Sequence, residues 1–163
     1  MKKFVIYLFV GLFIVVLYFS FNTVSVTPEE TIAYYKKRWG IEMPVPDEII
    51  DVWSTKYPSH GDGEWVTKFR YDNQLLPEQL KDFTKVTEGN VNQANGYVNF
   101  FINRVKSMYA IQHDDAFKSI EPYSVNLKIG DYYFHQSENG DFDTFTVIYQ
   151  HQENRILIFE WHQ

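Results

Sequence analysis

The chain has 163 residues, 15 basic and 21 acidic side chains, a formal charge of −6 and no cysteine. This length suits a single folded domain. The acidic balance argues against nucleic acid and anionic polymers as partners, which are bound through Lys and Arg. Without cysteine there is neither a disulfide framework nor a thiol nucleophile, so apolar packing must hold the fold, and 14 Phe, 12 Tyr and 4 Trp supply it.

Residues 1–21 open with Met1-Lys2-Lys3 and continue through Phe4 to Phe21 without a charge. As a helix this run would extend roughly 27 Å at 1.5 Å per residue, close to the hydrocarbon thickness of a bilayer. A removable signal peptide has a shorter apolar region and a small-x-small cleavage site. Here Tyr18 and Phe21 flank the end, and the nearest weak site is Thr23-Val24-Ser25. The reading is an uncleaved signal anchor over 1–21, in the bilayer through residues 4–21, with a cleaved signal peptide as the rival. Lys2 and Lys3 keep the N-terminus cytoplasmic by the positive-inside rule. Residues 22–27 are then a short linker, and 28–163 form an extracytoplasmic domain on the outer side of the cell membrane. Lys2 and Lys3 apart, 13 basic side chains face 21 acidic ones, so residues 22–163 carry a formal −8. A cationic partner or ion fits that charge. Ten asparagines form no N-x-Ser/Thr sequon, a composition that leans towards a bacterial envelope.

Thr27-Pro28-Glu29-Glu30 is a helix start, with Thr27 as cap, Pro28 at the first position and Glu30 completing a capping box. Ile32, Tyr35 and Trp39 share one face, Lys36, Lys37 and Arg38 load the last turn, and Gly40 can close it. Pro44 and Pro46 hold the following link extended. Two strands are predicted next, Ile49 to Tyr57 and Glu64 to Asp72, the second half-buried by its alternation, with Pro58 to Gly63 as the turn. Pro77 starts a short helix. Asn90 or Asn92 can cap a longer one whose face is Val91, Ala94, Val98, Phe101, Val105 and Tyr109. Gly96 inside it costs about 1 kcal/mol against Ala.

The C-terminus reads as a three-strand meander: Tyr132–Gln136, Thr144–Gln150 and Arg155–Trp161. A two-residue Asn139-Gly140 turn would set Phe134 opposite Phe145, and a four-residue loop at 151–154 would set Phe145 opposite Glu160 and Thr144 opposite Trp161. Alternation then gives a core face of Tyr132, Phe134, Phe145, Val147, Tyr149, Ile156 and Ile158. The other face carries Tyr133, His135, Thr144, Thr146, Ile148, Leu157, Phe159 and Trp161. That second face is too aromatic to be merely solvated. Either the 49–72 hairpin or the 111–129 stretch covers it, or Tyr133, His135, Phe159 and Trp161 form a binding surface. Glu160, on the core side, needs a partner, for which Arg104 and Arg155 are candidates. Asp143 and His162 fall opposite each other as a cross-strand pair. The order helix, two strands, helices, three strands defines an α+β domain with an antiparallel sheet.

No G-x-S-x-G, H-E-x-x-H, P-loop or G-x-G-x-x-G occurs. Ser59, His60 and Asp62 are neighbours on one loop and cannot aim at one another as a triad. His60 and Asp62 are weak metal candidates, lacking the oxygen-rich spacing of a calcium loop, and His113-Asp114-Asp115 reads as a solvated loop or helix cap rather than a ligand set. No cofactor is expected. The anchor, Tyr34-Tyr35 with Trp39-Gly40-Ile41, Pro44 and Pro46, His60-Gly61-Asp62-Gly63 and the closing strands together resemble small membrane-anchored proteins of Gram-positive, bacillus-type bacteria. That resemblance implies a location and no activity. The functional expectation is a tethered module binding a protein or small ligand, of accessory, sensor or immunity type; the alternative is a hydrolase or metal-dependent enzyme centred on His60 and Asp62. The oligomeric state is left open.

In cells, full-length protein should stay with the membrane fraction after a carbonate wash. Recovery of a soluble mature form beginning near Val26 would show that the segment is a cleaved signal peptide.

Overall fold

A computed structural model describes residues 26–55, 63–110 and 116–163. The anchor expected over 1–21, the His60/Asp62 loop and His113-Asp114-Asp115 lie outside these residues. No helix among them is long and apolar enough to cross a membrane. The elements are α1 (Pro28–Trp39), β1 (Glu48–Ser54), β2 (Gly63–Arg70), a 3-10 turn (Pro77–Leu80), β3 (Thr84–Lys85), α2 (Val91–Ala110), α3 (Ala116–Ser119), a second 3-10 turn (Glu121–Tyr123), β4 (Tyr132–Glu138), β5 (Asp143–Gln150) and β6 (Arg155–His162). The fold is α+β with one antiparallel sheet, ordered β1-β2-β6-β5-β4-β3.

Local chemistry accounts for α1. The Glu30 amide donates to Thr27 Oγ1 at 3.2 Å and the Thr27 amide to Glu30 Oε2 at 2.9 Å, the reciprocal capping box. Gly40, at φ +70°, ends the helix in the left-handed region and donates its N–H to the Lys36 carbonyl. Tyr35 and Trp39 are buried against the sheet, and the Trp39 ring stacks on Phe145 at 5.0 Å. The start of α2 differs from a simple asparagine cap. The helix begins at Val91, and Asn90 instead ties the preceding turn, accepting from the Thr87 amide at 2.7 Å and donating to the Lys85 carbonyl at 3.0 Å.

The two hairpins join along β2 and β6, which pair from Gly63↔His162 to Arg70↔Arg155. Joining makes β2 an interior strand. Its expected half-burial is therefore replaced by burial on both faces, with Val66 in one core and Phe69 in the other. One core lies between the sheet and α1 with the chain that follows it: Tyr35, Trp39, Ile41 and Leu80 pack on Phe145, Val147, Tyr149, Ile156 and Ile158. The other lies beneath α2, whose Ala94, Val98, Phe101 and Val105 pack on Ile148, Leu157, Phe159 and Trp161.

The β5–β6 register is as expected, Phe145↔Glu160 and Thr144↔Trp161. The β4–β5 register is not: Phe134 faces Val147 and Glu138 faces Asp143, so residues 139–142 form a four-residue loop. Asn139, Gly140 and Asp141 all take positive φ, at 53°, 67° and 68°, one more left-handed residue than a two-residue turn holds. Arg38 secures the closure. It lies 2.6 Å from Glu138 and 3.9 Å from Asp143, offsetting two carboxylates placed directly opposite each other. Because the slip is two residues, every side chain keeps its expected face.

Trp161 is fully buried under Phe101, at 6.3 Å between rings. Trp161→Ala should therefore lower stability by about 3–5 kcal/mol. Trp161→Phe should cost less, since the Trp161 indole N–H has no acceptor among the described residues. Thermal melts of the three proteins check this, and a Trp161→Ala melt matching wild type would contradict it.

Candidate functional site

The aromatic face, expected either to be covered by another part of the chain or to bind a partner, is a covered core face. Phe159 and Trp161 have 0% exposure and Tyr133 is buried, while His135 is half-buried at the margin. The cover is mainly α2, with Ile120 and Leu127 of the expected 111–129 stretch beside it, rather than the 49–72 hairpin. The reason lies in the sheet order. With β1 and β2 added beyond β6, the hairpin lies in the sheet plane and cannot fold over its face, which leaves α2 as the apolar element available. An uncovered recognition surface at Tyr133, His135, Phe159 and Trp161 is thus corrected; only His135 keeps an accessible side.

A different constellation gathers on the α1 face. A cleft of about 380 Å³ is lined by Tyr34, Tyr35 and Arg38 from α1, Asp51 from β1, Trp65 and Thr67 from β2, and Glu160 and His162 from β6. Register makes it: Asp51 pairs with Thr67, and Trp65 with Glu160, so alternation turns these side chains to the helix side. Gly63 contributes by having no side chain, since a Cβ there would lie 2.9 Å from the Trp65 ring.

Glu160 explains why a carboxylate occupies a core-facing position. It is buried, accepts the Tyr35 hydroxyl at 2.9 Å, and lies 3.5 Å from His162 Nε2. The arginines expected to pair with it do not. Arg104 sits on α2, across the sheet, with its guanidinium 3.9 Å over the Trp161 ring and donating to the Asp141 carbonyl at 2.7 Å. Arg155, at the far end of β6, reaches Glu153 and Gln150. The expected Asp143–His162 pair does form, at 3.5 Å, so His162 stands between two carboxylates.

Burial pushes the Tyr35 hydroxyl well above the ordinary tyrosine value, with Glu160 adding to the shift. Tyr34 is raised by burial and Glu160, against an opposing Arg38. For His162 the hydrogen bond to Glu160 raises the pKa and burial opposes it; the fields of Glu160 and Asp143 add to the rise, and Arg38 subtracts. Asp51 accepts the Thr67 hydroxyl at 3.2 Å, and no Lys or Arg pairs with it among the described residues. No group of three His, Cys, Asp or Glu side chains among the described residues is disposed to hold a metal ion.

Of the cleft residues, the sequence flagged Glu160 by its misfit on a core face and His162 by its place opposite Asp143. Tyr34, Asp51, Trp65 and Thr67 were not distinguishable from ordinary strand and helix positions, because their convergence depends on the β2–β6 ladder. Comparison of the chain with protein-family models, with curated proteins and with solved structures finds no match.

His162 holds its proton more tightly in the folded protein than in the unfolded chain. Its stabilising contribution is full below the unfolded value of about 6.5 and is lost as pH rises through the higher folded pKa. An NMR titration should place the His162 midpoint above that of a free histidine, with Glu160→Gln moving it down. A midpoint unmoved by that change would remove the carboxylate as its cause.

Proposed function

We propose that this chain is a single-pass membrane protein whose extracytoplasmic domain binds rather than catalyses, and that the cleft beside α1 receives a cationic ammonium group on a partner protein or small ligand. The observation that carries this reading is the pairing of Asp51 and Glu160 with the rings of Tyr34 and Trp65 around one cleft. The basic groups there are engaged already: Arg38 with Glu138, and His162 between Glu160 and Asp143. An incoming cation would meet unneutralised carboxylate at Asp51 and the negative faces of two rings, an attraction of roughly 0.5–2 kcal/mol for the aromatic part.

Binding is favoured over proton transfer through Tyr35, because that hydroxyl is committed to the buried Glu160. The Tyr35 hydroxyl is held by Glu160 and driven away from neutral pH by burial, and a general acid or base works best with a pKa near the working pH. The tether supports a location for the ligand. Only six residues separate Phe21 from Pro28, and Tyr34 follows the helix start by about 10 Å of helix rise. The cleft would then work close to the outer surface of the bilayer.

The test uses full-length protein in nanodiscs, titrated with a blocked Gly-Lys-Gly tripeptide and its Nζ-acetylated counterpart while tryptophan fluorescence is followed. The lysine peptide should bind and the acetylated one should not, since acetylation removes the charge. Asp51→Asn should weaken binding about tenfold, the equivalent of 1.4 kcal/mol, without lowering the melting temperature. Equal binding of the two peptides would sink the reading.

A further inference from the structure

We propose that the outer edge of β4, from Phe134 to Glu138, accepts an extended, basic segment of a partner protein as an added strand, with alternate side chains entering the groove between β4 and α2. β3 pairs with β4 only at Tyr132 and Tyr133. Beyond them no described residue hydrogen-bonds the outer edge through its backbone, and such an edge presents a row of unpaired N–H and C=O groups.

The opposite edge of the sheet is treated differently. In β1 the register breaks between Asp51 and Trp53. The Val52 carbonyl there accepts the Tyr123 hydroxyl at 3.0 Å, and the Trp53 indole N–H donates to Ser119 at 2.9 Å. A bulge and a side chain on the carbonyl both obstruct pairing. β4 has neither device: its register with β5 is regular, and residues 134–138 include no proline or lysine.

Beside the open edge lies a groove of about 500 Å³, whose lining includes Gly96, Tyr97 and Phe100 from α2 and His135, Ser137 and Asp141 from the sheet side. The Tyr97 and His135 rings stack at 3.8 Å, and Phe100 is 49% exposed. A Cβ at Gly96 would meet nothing within 4 Å. Neither packing nor backbone angle therefore demands glycine at this helix-interior position, where it is disfavoured; its effect is to keep the groove open. In an added strand every second side chain points to one face, so the backbone would take the edge and alternate side chains the groove, the division of labour seen in strand addition.

Charge selects the occupant. Arg104 donates to the Asp141 carbonyl and its charge interacts with the Asp141 carboxylate from a distance, but no Lys or Arg forms an ion pair with that carboxylate among the described residues, and it stays on the groove lining. A second copy of the chain would bring another domain of formal charge −8 over residues 22–163 to the same edge. A basic segment meets complementary charge instead.

The experiment uses full-length protein in nanodiscs against an array of eight-residue peptides in which lysine alternates with each other residue type. At least one peptide should bind, and binding should slow hydrogen exchange at the amides of residues 134–138. N-methylation of alternate peptide nitrogens should weaken binding at least tenfold. Gly96→Leu should do the same while leaving the melting temperature equal or higher. The proposal is overturned if no peptide binds, or if affinity survives N-methylation or Gly96→Leu. It is also overturned if the β4 amides of the free protein are protected by a dimer that dissociates on dilution, since the occupant would then be a second copy.

Discussion

The β2–β6 ladder is the interaction on which the rest of the structure depends. It welds an N-terminal hairpin to a C-terminal meander, and in doing so turns two half-covered units into one sheet whose middle strands need cover on both faces. Every residue of β5 is buried, a pattern that a three-strand meander with one wet face could not produce. Two apolar layers are then obligatory. Among the described residues one amphipathic helix precedes the strands and a second lies between them, and α1 and α2 take opposite sides.

The same ladder makes the cleft. Asp51, Trp65 and Glu160 come from three different strands separated by up to 109 positions, and they share a face only because β1–β2 and β2–β6 are both in register. α1 completes the site with Tyr34, Tyr35 and Arg38, and its capping box and glycine stop determine where the helix begins and ends. Local helix chemistry thus contributes to placing Tyr35 within hydrogen-bond distance of Glu160. The buried carboxylate is tolerable because it has hydrogen-bonding partners; removing them would leave a charge in a low-dielectric setting.

Aromatic residues do two kinds of work here. Phe101, Phe145, Phe159 and Trp161 fill the cores. Tyr34, Tyr97 and Phe100 stand at surface concavities where an apolar ring has water on one side. Composition could not separate the two groups, and an abundance of aromatic residues on a predicted face was in this case a sign of core.

What the sequence by itself determined is whatever depends on near neighbours: the caps of α1, the apolar stripe of α2, the three closing strands and which side chains share a face. The face assignment survived an error in the Asn139-Gly140 turn because a two-residue slip preserves the parity of a pleated strand. It also determined that a charge-free run, Phe4 to Phe21, precedes the domain. Only the tertiary structure decided that β2 joins β6, that α2 covers the face of Phe159 and Trp161, and that Glu160 meets Tyr35 and His162 rather than Arg104. These outcomes turn on the order of strands in the sheet. Strand order is set by how whole faces are buried together, a property of the assembled layers that no local run of residues carries.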